Sequence, residues 1–339
     1  MPLPDTMTAL VLREDGYASG GSGDMPTDLS PFVGLTTLPV PQPREGQALI
    51  KVARAAVNPS DLLFVSGQYG QPRKAGMPAG FEGVGEVVAG DTPLLGQRVS
   101  FFGMGWGTWA EYAMADARMM IPLRPDLRDE DAAGLIVNPM TAMAMFDIVR
   151  ADGAGAFVFT AGGSQLGKFL IGLAKDAGIA AIPVVRRAEQ AEALKALGAA
   201  DVLVSSAPDF AEKATAVMAE HGPRILLDAV ADQVAADLFF AMPRGARWVC
   251  YGRLATTPPV LDQMGQFIFM GKKIEGFWLS SWLRETPSDR VATLVGEVQG
   301  RFVSGAWRTD VSTVLPLKDA LENFPAALSV KDAKILIAP

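Results

Sequence analysis

Hydrophobic positions come in short, alternating runs through the first third of this chain and in longer buried blocks through its middle. Gln47–Val57 (QALIKVARAAV) alternates well enough for a strand. Gly83–Ala89 and Arg98–Phe102 are short β-branched or aromatic runs between glycines, and Trp109–Ala113 reads as another. Many short strands with glycine punctuation predict an irregular barrel rather than βαβ units. The polar stretch Tyr17–Pro31 (YASGGSGDMPTDLSP) predicts a flexible loop. The pattern changes near Asp126. From Arg128 to Val149 apolar residues recur at helical spacing. Three strand–helix repeats follow, at 156–160 with 165–177, 179–185 with 188–197, and 201–205 with 209–220. Arg224–Val230 and Arg247–Gly252 add two buried strands, so the alternation predicts a doubly wound parallel sheet. From Arg308 short β-like pieces return, Lys334–Ala338 among them. The fold class is α/β: an irregular β-barrel domain over residues 1–125 and 308–339, and a parallel-sheet domain over 126–307 inserted before the C-terminal return.

Composition narrows the function classes. The chain has 339 residues, 49% hydrophobic and 20% charged, enough for two domains with sizeable cores. A net charge of −7 without a basic run argues against nucleic acid or an anionic membrane as partner. Apolar runs such as Ala177–Val185 fall short of the roughly 20 residues that span a bilayer. The N-terminus lacks the basic start and apolar stretch of a signal peptide. One cysteine, Cys250, and one histidine, His221, exclude an internal disulfide and a structural zinc site. The expected setting is the cytoplasm and the expected partner a small molecule.

Ala156–Arg187 carries the most chemistry. It reads as buried strand, glycine turn (Thr160-Ala161-Gly162-Gly163-Ser164-Gln165-Leu166-Gly167), amphipathic helix, second buried strand, then Arg186-Arg187. A strand turning sharply into a helix gathers backbone N–H groups and the positive helix end at one point, which suits a pyrophosphate. Ser164 stands where a GxGxxG fingerprint has its middle glycine, and its hydroxyl can add a donor. Arginine after the second strand matches a 2′-phosphate with its fork of donors, which points to NADP(H). The bland reading of that pair is a solvated surface.

Five other places stand out. Tyr69, within Gly67-Gln68-Tyr69-Gly70, either presents a hydroxyl or packs a turn. Trp278 and Trp282 form an aromatic patch suited to core, subunit interface or substrate wall. Lys331 and Lys334 read as surface lysines on a strand. Cys250 sits in a core strand and His221 at the end of a helix, which defends no nucleophile or triad.

The order of barrel, inserted sheet and barrel return resembles the medium-chain dehydrogenase/reductases. The resemblance rests on Val57-Asn58-Pro59-Ser60-Asp61, Gly80-Phe81-Glu82-Gly83-Val84-Gly85, Val137-Asn138-Pro139-Met140-Thr141-Ala142 and the glycine turn. It implies a GroES-like barrel and a Rossmann domain. Zinc alcohol dehydrogenases of that superfamily carry a cysteine and a histidine where this chain has Asn58 and Phe81, so the resemblance is to a zinc-free branch with no metal site. Within it the chain looks most like mitochondrial-type 2-enoyl thioester reductases and less like quinone oxidoreductases. Gly67-Gln68-Tyr69-Gly70, Ser164 in the turn and Gly276-Phe277-Trp278-Leu279-Ser280 before Trp282 carry that likeness. Thr160 departs from the asparagine frequent in that group.

The resemblance implies a catalytic role for Tyr69. It implies a cofactor role for Asn58, Thr141, Gly162, Gly163, Ser164, Gln165, Leu166, Arg186, Arg187, Tyr251, Gly252, Phe277, Trp278, Leu279 and Lys334, and a substrate pocket with Phe81 and Trp282. The activity it implies is metal-independent hydride transfer from NADPH to an activated C=C, on an enoyl thioester or enone. The alternatives are an NADPH:quinone oxidoreductase and a non-catalytic NADPH-binding scaffold. It also implies a homodimer through edge strands near Lys273–Phe277.

Overall fold

The structure is a computed structural model that describes residues 3–18, 24–103 and 105–339. In chain order the elements are β1 (Thr6–Leu12), β2 (Val33–Pro39), β3 (Gln47–Val57), α1 (Pro59–Val65), β4 (Glu82–Gly90), β5 (Arg98–Phe102), β6 (Tyr112–Asp116), β7 (Met120–Pro122), α2 (Asp129–Ala132) and α3 (Val137–Asp152). There follow β8 (Ala156–Phe159), α4 (Gln165–Ala177), β9 (Ala180–Val185), α5 (Ala191–Leu197), β10 (Leu203–Val204), α6 (Phe210–His221), β11 (Ile225–Asp228), α7 (Gln233–Ala241), β12 (Arg247–Cys250), α8 (Met264–Met270), β13 (Lys273–Gly276), α9 (Leu279–Glu285) and α10 (Ser288–Val303). The chain ends in β14 (Val311–Pro316), α11 (Ala320–Ser329) and β15 (Lys334–Ala338). It divides into two compact units, Met1–Val137 with Val295–Pro339, and Asn138–Leu294.

The first unit is the irregular β-barrel. Its main sheet runs β14-β15-β3-β4-β5-β7, with β6 also on β3, and β1 and β2 pair separately. β15 lies antiparallel to β3, with Leu336 opposite Ala56, so the last strand of the chain closes on one of the first. Leu10, Ile50, Phe101, Trp109 and Phe324 fill the core, and the Trp109 indole donates to the Ala56 carbonyl at 3.1 Å. The second unit is the doubly wound sheet, in the order β10-β9-β8-β11-β12-β13. β8 and β11 are buried along their whole length, as strands covered on both faces must be.

Four sequence expectations change. The helical spacing over 128–149 resolves into α2 and α3, because the Glu82 carboxylate takes the N–H groups of Ile136 and Val137 and starts a new helix there. The strand expected at Trp109–Ala113 begins at Tyr112, since Thr108 and Trp109 both give their N–H groups to the Ala79 carbonyl. The C-terminal return contains a helix, α11, formed despite Pro325 because Phe324 is buried against Trp109. In the loop expected at Tyr17–Pro31, residues 19–23 lie outside the described residues. Leu29 is fully buried, and its carbonyl holds the N–H groups of Phe32 and Val33.

Candidate active site

β9, β8, β11, β12 and β13 are parallel, so their C-terminal ends fall along one edge of the sheet. That edge carries the turn Thr160–Gly167 after β8, Arg186 and Arg187 after β9, Ala229–Ala231 after β11, Tyr251 and Gly252 after β12, and Phe277–Leu279 after β13. In open α/β sheets this is where ligands sit. Trp282 follows on α9, and Arg284 lies over the Trp278 ring at 5.4 Å. Thr141 is a buried polar residue of α3.

The glycine turn packs too closely for side chains. A Cβ on Gly162 would lie 2.4 Å from the Pro183 Cβ, and one on Gly167 would lie 2.4 Å from the Gly162 carbonyl oxygen. Ser164 caps α4, its hydroxyl accepting the Gly167 N–H at 3.1 Å. Gln165 and Leu166 then supply the first two N–H groups of that helix, at its positive end. Arg186 is exposed, and its carbonyl accepts from the Ser206 hydroxyl at 2.6 Å. Arg187 lies 3.7 Å from Glu189. A glycine cradle at a helix start, followed by an exposed arginine at the next strand end, fits a dinucleotide with a further phosphate.

Asp228 ties the edge together. Its Oδ1 accepts the Thr160 hydroxyl at 2.5 Å and the Val230 N–H at 2.9 Å. Its Oδ2 accepts the Trp248 indole N–H at 2.9 Å and the Ala231 N–H at 3.0 Å. Thr160 Oγ1 in turn accepts the Ala229 N–H at 2.9 Å. Burial pushes the Asp228 carboxyl above its ordinary range, against the pull of these hydrogen bonds. Ala161 and Ala231, one in each tied turn, hold left-handed backbone at φ 51° and 61°. Such non-glycine conformations persist only where the surroundings fix them. Burial also raises the Cys250 thiol to about 12, helped by Asp228, so Cys250 is an inert packing residue of β12.

In the first unit, Tyr69 lies in the loop after α1 with its ring 5.2 Å from Phe81, which also meets Phe64 at 5.0 Å and Phe102 at 6.0 Å. The same unit holds a buried polar hub. Lys334 Nζ donates to Asn58 Oδ1. Asn58 Nδ2 donates to Glu82 Oε1 at 2.9 Å, and the Asn58 N–H donates to Asp61 Oδ2 at 2.7 Å. Glu82 Oε2 accepts the Ile136 and Val137 N–H groups at 3.0 and 2.8 Å. Asn58, Asp61, Glu82 and Lys334 are all buried. Burial, with the Glu82 charge beside it, pushes Asp61 up to about 7. Burial likewise raises Glu82 and lowers Lys334, although each of those two charges favours the other.

Sequence reasoning singled out Asn58 and Lys334 separately, and the structure bonds them to each other. It missed Asp61, Glu82 and Asp228 as organisers. The signals were present: Asp61 and Glu82 are the acids inside the quoted Asn58–Asp61 and Gly80–Gly85 motifs, and Asp228 is an acid at the end of an otherwise apolar strand.

The family described as alcohol dehydrogenase GroES-like domain matches residues 44–125, and the family described as zinc-binding dehydrogenase matches residues 166–296. A candidate NADPH:quinone reductase from Mesorhizobium loti is 49% identical, with a TM-score of 0.96 and full coverage of both chains. The mitochondrial enoyl-[acyl-carrier-protein] reductase of Homo sapiens is 28% identical over 310 residues, 89% of this chain and 83% of that protein. The mitochondrial 2-enoyl thioester reductase heterodimer of Candida tropicalis shares the fold, with a TM-score of 0.79 at 19% identity over 98% of this chain and 100% of the other. The donor set does not fit the zinc that one family description implies. Asn58 is spent on Lys334 and Glu82, Phe81 is hydrocarbon, and among the described residues no group of three or more His, Cys, Asp or Glu side chains is placed to hold a metal ion. On fold, motifs and full-length similarity, the chain belongs to the medium-chain dehydrogenase/reductase superfamily, in the zinc-free branch of enoyl thioester reductases and NADPH:quinone reductases.

Proposed function

We propose that this protein is an NADPH-dependent reductase of activated carbon–carbon double bonds, on enoyl thioesters or enones, with Tyr69 as the donor to the developing oxyanion. The observation that carries this reading is the setting of Tyr69: a hydroxyl-bearing ring held against Phe81, with centroids 5.2 Å apart. NADPH supplies the hydride. The residues that would hold it are Gly162, Gly163, Ser164, Gln165 and Leu166 at the pyrophosphate and Arg186 with Arg187 at the 2′-phosphate. Tyr251, Gly252, Phe277, Trp278, Leu279 and Thr141 of the same unit complete the set. Phe81, against the Tyr69 ring, would give the acceptor apolar surface.

Hydride arriving at the β-carbon of a conjugated C=C–C=O moves charge onto the carbonyl oxygen. That oxygen then needs a hydrogen-bond donor, and the α-carbon needs a proton. Tyr69 meets the first need, and its hydroxyl, reprotonated from solvent, would supply the second. A quinone accepts hydride with little such help, and the 49% identity to a candidate NADPH:quinone reductase favours quinones as the second reading. Stopped-flow NADPH oxidation with crotonyl-CoA, a cinnamaldehyde-type enone and 1,4-benzoquinone separates the two. Tyr69→Phe should slow the enoyl and enone reactions by about 10²–10³-fold, as loss of one oxyanion donor does, and leave quinone turnover nearly intact. Turnover on quinones alone would hand the assignment to the second reading. We also infer a homodimer built on β13, the open edge of the six-stranded sheet, with Ile268 and Phe269 beside it 73% and 72% exposed. No helix among the described residues is long and apolar enough to cross a membrane.

A further inference from the structure

We propose that Arg73 is the positioning residue for Tyr69, locking the Tyr69 loop to the N-terminal segment; this rests on the reading of Tyr69 as the oxyanion donor. Arg73 is buried, with its side chain 3% exposed, and burying a guanidinium costs free energy that must be recovered by close pairing. The pairing is specific. Nε donates to the Gly16 carbonyl at 3.1 Å. Nη1 donates to the Val65 carbonyl, at the end of α1, at 3.2 Å, and pairs with Glu14 at 3.0 Å. The main chains of Arg73 and Gly16 exchange both N–H···O bonds, at 3.0 and 3.1 Å. At the other end of the loop the Ala18 N–H donates to the Gly67 carbonyl at 2.9 Å. Gly67 is itself fitted to the clamp. Its φ is +75°, and a Cβ there would lie 2.6 Å from the Ala18 nitrogen and 2.7 Å from the Arg73 guanidinium carbon. Tyr69 thus hangs in a short loop fastened at Gly67 and at Arg73, with one fork of donors spanning both helix end and N-terminal segment. A turn that only packed would not require a buried cation to fasten its end.

The test is a double-mutant cycle on enone or crotonyl-CoA reduction. Arg73→Lys keeps the charge and loses the fork. It should lower kcat about tenfold by misplacing the hydroxyl, with NADPH affinity, read by fluorescence titration, held within about twofold. In a Tyr69→Phe background the same change should have no further effect, because the group it positions is gone. Should Arg73→Lys fail to fold, judged by circular dichroism, Glu14→Gln serves as the second variant. Glu14 is 61% exposed, and its loss should lower kcat about threefold in the parent and not at all in Tyr69→Phe. Equal losses in both backgrounds, or unchanged kcat in Arg73→Lys, overturn the proposal. Unchanged turnover in Tyr69→Phe alone would instead overturn the reading of Tyr69 on which it stands.

Discussion

Asp61 is buried with one other carboxylate, Glu82, and one lysine, Lys334, so full ionisation would leave a net negative charge in the low-dielectric interior. Burial, the larger cause, and the Glu82 charge hold its carboxyl near 7, above the roughly 4 of an unfolded chain. The sign follows. The unfolded state loses its proton first as pH rises, so this group lowers stability progressively between about 4 and about 7, and the penalty is complete above that. Glu82, raised by the same cause, acts in the same direction. Thermal unfolding should therefore shift upward as pH falls from 8 to 5.5, by about 2–4 °C for each kcal/mol relieved. Asp61→Asn should flatten that slope and raise the Tm at pH 8. A parent and variant with the same slope would remove Asp61 as its source. The hub was not legible in the sequence. Lys334 and Asn58 are 276 positions apart, and a lone lysine on a strand reads as a solvated one until the topology lays β15 against β3.

α4 reads off the sequence residue for residue at 165–177, because its serine cap, amphipathic spacing and left-handed Gly178 stop all agree. α11 was not legible, since Pro325 is a local signal against a helix and the burial of Phe324 is not a local property. The turns at the sheet edge lie between these cases: their glycines are visible, but the Thr160–Asp228 tie that spans β8 and β11 is not. That tie makes the edge a single element, because loosening either turn leaves the backbone of Ala161 or Ala231 less constrained. Thr160→Val removes the hydroxyl that both donates to Asp228 and accepts from Ala229. It should cost about 1–3 kcal/mol in stability, as buried partners left unpaired do, and weaken NADPH binding, with Thr160→Ser restoring both. Fluorescence titration and thermal unfolding of the pair check it. Unchanged affinity in Thr160→Val would show that the turns hold their shape without the tie.

At the scale of the molecule, the sequence announces a barrel segment, an alternating middle and a β return, and the pairing of β15 with β3 supplies the closure. What it leaves open is the far side of the six-stranded sheet. β10 at one edge is two residues long, a short edge that resists further pairing. β13 at the other is four residues long, with Ile274 39% exposed, and α8 beside it exposes Met264, Ile268 and Phe269. An open edge next to a cluster of exposed apolar side chains is the combination natural proteins cover with a partner, and in the homodimer inferred above a second copy would meet it with the same edge about a two-fold axis. The resulting isologous interface would centre on Ile268 and Phe269, where desolvated aromatics carry most of the binding energy. The parent should then sediment at twice its 35.9 kDa chain mass in analytical ultracentrifugation at micromolar concentration. Phe269→Glu, which sets like charges against each other across the axis, should sediment at the chain mass with its circular dichroism unchanged. Parent protein at the chain mass, or a Phe269→Glu variant still at twice that mass, would place the contact elsewhere or dispense with it.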